Sequence, residues 1–327
     1  MTTIADIAKL AGVAKSTVSR YLNDGSVSEE TKRKLEQIIK DTGYSPNAFA
    51  QSLKAKNTNI IGTIVPRLDS YATSRTLIGI DEQLKEFHYQ MLVSNSNQNI
   101  EREIENIYTL AHQKVAGIIL LPAQITSMHL EAFKKINIPV LLVGQEHESI
   151  YSLIHDDYEA AYQMGLHVLA KGHKKIAYLG VSESDIAVGV NRKRGFKDSI
   201  GTVEDCEVRY YETSFSIAGS LQIVPDIIDS FHPSIIVCAT DNIAIGAMKA
   251  AYKKGLSIPE DLSLTGFGGY EITGMIHPGL TTVKFFYKDA GQLAAKNIIQ
   301  LVRKNVIPKL TISNFEIVER ESVVKMV

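Results

Sequence analysis

The spacing of hydrophobic positions changes once along this chain, near residue 58. Before that point it is helical. Ile4, Ile7, Ala8 and Ala11 share one face of a short helix that Gly12 stops. Val18, Tyr21 and Leu22 form the apolar face of a second helix beginning near residue 16, and Asn23, Asp24 and Gly25 make the following turn. Ser28 is a good N-cap, and Glu29 and Glu30 stand in the first turn, where the helix dipole favours acids. Leu35, Ile38 and Ile39 stripe this third helix and Gly43 ends it. A fourth segment runs from Tyr44, Ser45 and Pro46 to Leu53, ahead of a polar stretch.

From Ile60 onward, short β-branched runs alternate with helical stretches. Strands are predicted at 60–65, 90–94, 117–121, 140–143, 176–179, 235–239 and 262–266. Helices are predicted at 73–87, 100–112, 126–136, 158–171, 191–199, 217–230, 242–254 and 288–304. Apolar strands alternating with helices imply parallel sheets covered on both faces. The fold class is therefore α/β, with an all-α head in front of two sets of strand–helix units that fit two similar lobes.

Composition excludes several classes. Hydrophobic residues make up 45% and charged residues 22% of 327, the balance of a globular protein. Cys206 and Cys238 are too few for a disulfide framework or a four-cysteine metal site. No apolar run reaches the ~18 residues that cross a bilayer. Asp6 and Lys9 near the start do not fit a signal peptide, so the chain is read as cytoplasmic. The net charge of -1 hides an asymmetry: residues 1–56 hold nine Lys/Arg against six Asp/Glu, and the remainder is mildly acidic. A basic head on an acidic body points to a polyanion-binding module.

Two short helices separated by Gly12, Val13 and Ala14 match a helix-turn-helix. Lys15, Ser16 and Arg20 would project where they meet base edges, while Thr17 and Ser19 suit phosphate oxygens; the plain alternative is a solvated polar face. The run Thr3-Ile4-x-Asp6-Ile7-Ala8-x-x-Ala11-Gly12-Val13 and the run Thr17-Val18-Ser19-Arg20-Tyr21-Leu22-Asn23 resemble the start of a lactose-repressor family (LacI-type) regulator. So do Val27-Ser28 with Thr31, Gly43-Tyr44-x-Pro46-Asn47, and Ala50-x-x-Leu53.

The resemblance implies a helix-turn-helix head over 1–45, a hinge over 46–58 that becomes helical on operator DNA, and an effector-binding core over 59–327. It places Lys15, Ser16 and Arg20 on bases, counts Asn23 and Asn47 among the DNA-binding residues, and puts Leu53 in the minor groove, unstacking a base step. It also implies a homodimer on a two-fold symmetric operator, with further pairing into a tetramer left open. Ala14 departs from the pattern, since a Ser commonly caps the second helix there; the missing cap costs about 1 kcal/mol.

The resemblance extends through the body. It is carried by Asp156-Asp157-x-x-Ala160-Ala161, Gly172-His173-x-x-Ile176-Ala177, Arg192-x-x-Gly195-Phe196, Asp241-Asn242-x-Ala244-x-Gly246 and Pro278-x-Leu280-Thr281-Thr282-Val283. The implied core is two doubly wound lobes like those of periplasmic sugar-binding proteins. The N-lobe spans about 59–156 and 287–316, the C-lobe about 157–286 and 317–327, and the effector lies between them at the carboxyl ends of the strands. Arg192 and Asp241 match effector-binding positions of the family; their bland readings are a surface ion pair and a helix N-cap. Phe285 and Phe286 offer a ring face to a sugar or pack in the core.

Arg67, Asp69, Ser70 and Tyr71 follow the first body strand and resemble a segment of trehalose-operon repressors, although Arg67 is also placed to pair with Asp69. Ser19 to Asn23 and Ser26 to Glu29 resemble sucrose-operon repressors of Gram-positive bacteria. The effector implied is sucrose or sucrose 6-phosphate, with trehalose 6-phosphate as an alternative. Gly268 and Gly269 stand where many family members carry acids, and Gly144-Gln145 replaces an Asp-Arg pair, which tilts the reading toward an anionic ligand. The alternatives are a free sugar-binding transport protein and a carbon-catabolite regulator controlled by a phosphorylated phosphocarrier. No dinucleotide fingerprint, metal-ligand spacing or hydrolytic triad is legible, so neither cofactor, metal nor enzyme activity is expected.

Overall fold

The computed structural model describes residues 2–22, 25–44, 58–201, 203 and 205–326. It divides into two compact units, Met1–Thr58 and Asn59–Val327. Asn23, Asn47, Leu53 and the hinge segment 46–57 lie outside the described residues.

The first unit is helical. α1 (Ile4–Ala11) opens with a capping box, in which the Thr3 hydroxyl accepts from the Asp6 N–H while the Asp6 carboxylate accepts from the Thr3 N–H. Gly12 closes α1 in the left-handed conformation, at φ 65°. α2 (Lys15–Leu22) follows at once, and Ala14 at its start offers no side-chain oxygen. α3 (Glu29–Thr42) is capped by Ser28, whose hydroxyl accepts from the Thr31 N–H. Helices of eight residues are marginal alone. Here they persist because Ile7, Ala8, Ala11, Val18 and Leu35 bury one another, with Ile4, Tyr21, Leu22 and Ile38 closing the rim.

The second unit contains two six-stranded sheets. The N-lobe sheet is wholly parallel. Its members in chain order are β1 (Ile60–Val65), β2 (Gln90–Asn95), β3 (Gly117–Leu120), β4 (Val140–Val143), β5 (Tyr151–His155) and β11 (Leu310–Ser313), arranged as β11-β5-β4-β3-β1-β2. Successive side chains of a strand point to opposite faces, and the core follows that rule. Ile61, Ile119 and Leu141 pack on one face against α4 (Tyr71–Glu86) and α11 (Tyr287–Val302). Ile64, Ile118, Leu120 and Leu142 pack on the other against α5 (Ile100–His112) and α6 (Ser127–Lys135).

The C-lobe sheet runs β12-β10-β9-β8-β6-β7. Its strands are β6 (Lys175–Gly180), β7 (Glu207–Glu212), β8 (Ile235–Cys238), β9 (Ser263–Gly268), β10 (Thr281–Phe285) and β12 (Phe315–Val318). All pair in parallel except β12, which is antiparallel to β10. α7 (Asp157–Ala170), α8 (Lys193–Ile200), α9 (Ile217–Phe231) and α10 (Asp241–Lys253) cover it. The chain passes between lobes three times: from β5 to α7, from β10 to α11, and at Asn314 between β11 and β12. The sequence reading places the last passage near 316.

Five strands are absent from the sequence reading. β7 is an edge strand with charged, exposed positions, and β11 and β12 are four-residue pieces without an apolar run. β5 and β10 carry His, Ser, Thr and Lys among their apolar residues, so neither reads as a continuous apolar run. The expected helix 191–199 begins instead with a π-helical turn, Ile186–Arg192, and α8 continues from it. Among the described residues no helix is long and apolar enough to cross a membrane, and no cluster of metal-ligating side chains occurs.

Candidate DNA-reading helix and effector cleft

In the helical unit, Val18 is fully buried and anchors α2. That fixes the rotation of the helix. Ser16 and Arg20 are exposed on the opposite face, Lys15 is exposed at the start of the helix, and Thr17 and Ser19 are half-buried at the flanks. Two cations and three hydroxyls lie along these two turns, donor groups of the kind that suit phosphates and base edges.

In the two-lobed unit, the carboxyl ends of β1, β3, β4 and β5 face those of β6, β8 and β9 across a cleft of about 1070 Å³, open mouth included. Open α/β sheets bind ligands at this place. Arg67, Ser70, Tyr71 and Arg192 are on its wall, as the sequence reading expects. Ser70 caps α4, which aims the first turn of that helix at the cleft. Asp69 is off the wall, largely exposed, and stands 3.6 Å from Arg67.

Arg192 is buried and only partly free. Its Nε donates to Asp157 at 3.1 Å, its Nη2 to the same carboxylate, and its Nη1 to the Ala239 carbonyl. The rings of Phe267 and Phe285 lie 4.9 and 5.2 Å from the guanidinium carbon. Of five guanidinium N–H groups, two remain for a ligand. Burial pushes the Asp157 carboxyl above its ordinary range, and Arg192 pulls it back. Burial opposes the guanidinium charge most strongly, but Asp157, Tyr287 and Tyr178 together outweigh it and hold Arg192 above its ordinary value. The site therefore presents directed hydrogen-bond donors with little net charge. Beside the pair, burial and then Arg192 push His155 down to about 4, so this imidazole is neutral at physiological pH.

Asp241 and Phe285 are behind the wall, not on it. Asp241 is fully buried; it accepts the Thr282 hydroxyl at 2.5 Å and the Tyr270 N–H at 2.8 Å. Nor is it the helix cap, since Thr240 caps α10 and Asp241 is its first residue. Gly268 and Gly269 are the cause. Their φ values of 140° and 69° build a turn that aims backbone N–H groups at the Asp241 carboxylate. A Cβ at Gly268 would come within 2.3 Å of the Tyr270 ring. Phe285 packs against His155, Tyr287 and Phe315 and supports Arg192 from beneath.

The cleft wall carries acids as well as Arg67 and Arg192. Asp157 and Asp185 both reach the wall. So do His155, Phe215, Tyr270 and Tyr287, which the sequence reading omits. Asp157 stands in the motif Asp156-Asp157, and its proximity to Arg192 requires the fold. Contacts span the cleft between the lobes. Tyr71 stacks on Tyr270 with centroids 4.2 Å apart, Arg75 pairs with Glu271, Arg67 lies 4.9 Å over the Phe215 ring, and the Ile186 N–H donates to the Ala123 carbonyl at 3.3 Å.

A basic helix-turn-helix and a two-lobed cleft body in one chain define a ligand-responsive DNA-binding regulator. Residues 3–47 match the bacterial regulatory proteins of the lacI family, and residues 166–323 match the periplasmic binding protein-like domain. The sucrose operon repressor of Staphylococcus xylosus is 39% identical over 97% of this chain and 98% of its own length. Catabolite control protein A of Priestia megaterium is 28% identical over 93% of this chain and 94% of its own length. The lac repressor dimer bound to operator and the anti-inducer ONPF superposes with a TM-score of 0.92 at 25% identity, covering 99% of both chains. The chain belongs to the lacI family of bacterial regulatory proteins, and is a transcriptional repressor, not an enzyme.

Proposed function

We propose that this repressor controls a sugar-utilisation operon and leaves its operator when sucrose or sucrose 6-phosphate enters the cleft. The observation that carries this reading is the wall around Arg192, where two guanidinium N–H groups, a neutral imidazole and tyrosine rings meet between the lobes. Such a set fits a ring bearing hydroxyls on its edges and C–H groups on its faces. The 39% identity with a sucrose operon repressor supports the particular sugar. Arg67, Ser70, Tyr71 and Arg192 touch the effector; Asp69 orients Arg67, and Asp241 and Phe285 act from behind.

On DNA, two copies bind a two-fold symmetric operator, Lys15, Ser16 and Arg20 read bases, and Thr17 and Ser19 hold phosphates. Asn23, Asn47 and Leu53 complete the contact, Leu53 as the minor-groove wedge. Arg20→Ala will weaken operator binding by about 1–3 kcal/mol and relax base preference. Fluorescence anisotropy with a labelled operator checks this, and affinity in both forms falls steeply with salt.

The same assay tests the effector. Sucrose, sucrose 6-phosphate, fructose, trehalose and trehalose 6-phosphate are added to the repressor–operator complex. Release by sucrose or its phosphate meets the proposal, and release by a trehalose compound replaces the sugar. Release by none, with affinity raised by a phosphorylated phosphocarrier, replaces the sugar with a protein partner.

A further inference from the structure

The cleft does not end at Arg67 and Phe215. A second chamber of about 810 Å³, open mouth included, lies beside the first and shares Pro66, Gln98, Ala123, Asp185 and Phe215 with it. The two walls differ in chemistry. The first carries two guanidinium groups and three tyrosine rings. The second is made of amides and hydroxyls, Gln98, Asn99, Gln124, Ser182 and Ser184, with the carboxylates of Glu103 and Asp185. Among its described lining residues there is no Lys, Arg or His.

The two carboxylates are fixed in place. Glu103 is 5% exposed and is held by the Ser96 hydroxyl at 3.0 Å and His129 Nε2 at 2.8 Å. The His129 Nδ1 accepts the Thr126 N–H at 3.1 Å, so its other nitrogen carries the proton toward Glu103. Asp185 caps the π-helical turn by accepting the Val188 N–H at 2.9 Å, and it stands where the chambers meet. Gln98, Asn99, Glu103 and Gln124 come from the N-lobe, and Ser182, Ser184 and Asp185 from the C-lobe, so an occupant would bridge the lobes.

Building on the sugar reading of the first chamber, we propose that the second chamber is a second sugar subsite, which takes the second, unphosphorylated ring of a disaccharide. Its acceptors and amides suit a ring of hydroxyl donors, with carboxylates as the strongest acceptors. A phosphate in this chamber would face two carboxylates and no cation, which costs desolvation without a partner. Asp185, at the junction, accepts hydroxyls from both rings, and the Phe215 ring, backed by Arg67, offers an apolar face to both.

Titration calorimetry on the full-length chain tests this with sucrose, trehalose, maltose, cellobiose, glucose and fructose. One disaccharide will bind about 30-fold or more tighter than either monosaccharide, the yield of a few added hydrogen bonds. Ser184→Trp, at an exposed position, fills the chamber; it will bring that disaccharide down to the monosaccharide affinity and leave monosaccharide binding unchanged. The chain has no other Trp, so the fluorescence of the variant also confirms that it is folded. Equal affinity for one ring and two overturns the subsite, as does a variant that weakens both sugars alike or neither. Tighter binding of sucrose 6-phosphate that survives Arg67→Ala places the phosphate in the second chamber and also overturns it. Binding of no sugar at all overturns the reading of the whole cleft, an outcome distinct from the others.

Discussion

Arg192→Met will destabilise the chain by about 3–5 kcal/mol and abolish its response to sugar, because the substitution leaves the Asp157 carboxylate buried without its cation. Asp157 is 6% exposed and accepts from this guanidinium. Methionine is unbranched and fills the space of the arginine stem, while the guanidinium and its contacts with the Phe267 and Phe285 rings are lost with the charge. Urea unfolding followed by circular dichroism measures it. The double variant Arg192→Met, Asp157→Leu removes both charges and will regain most of the loss. It will not regain the sugar response, since the N–H donors are gone. Operator release separates the effects: stability returns in the double variant and release does not. Unchanged stability in Arg192→Met, or a double variant that responds to sugar, removes Arg192 from the role assigned here.

The helical unit was legible because its signals are local. Thr3, Gly12, Ser28 and Gly43 are all caps, and each stands at the end it marks. The parallel strands of the two lobes were legible where both faces are buried, since a continuous apolar run needs no context. Two inner strands were not: β5 and β10 mix polar with apolar residues and show no continuous apolar run. Part of the cleft wall is of the same kind: Asp157, Asp185, Phe215 and Tyr287 look ordinary one at a time, and only the fold brings them together.

Asp241 shows the opposite case, a residue whose motif pointed to the ligand while its neighbours pointed away. In the sequence the paired glycines at 268 and 269 stand where many family members carry acids. Physically they are the turn that engages the Asp241 carboxylate, and that makes the residue a structural support with a pH signature.

Asp241→Asn will keep the sugar response and change how stability depends on pH. Burial pushes the Asp241 carboxyl up to about 6, against the opposing hydrogen bonds from Thr282, Tyr270 and Gly269. Its folded value lies above the unfolded value of about 3.9. Between the two, the folded state holds the proton that the unfolded state has released. Stability is therefore fully present below the unfolded value and is lost as pH rises through 6, by about 3 kcal/mol in all. The asparagine does not ionise and is spared this loss. Its amide oxygen can accept the Tyr270 N–H, while its NH2 donates to the Thr282 hydroxyl, which turns to the Val283 carbonyl 3.3 Å away. Urea unfolding of both proteins at pH 4 and pH 7.5 tests this. The variant will gain on the parent as pH rises, and the difference cancels groups common to both, including His155, whose lowered value costs stability as pH falls from 6.5 toward 4. A constant difference between the proteins removes the buried carboxylate from the account. Loss of operator release in Asp241→Asn returns the residue to the wall of the cleft.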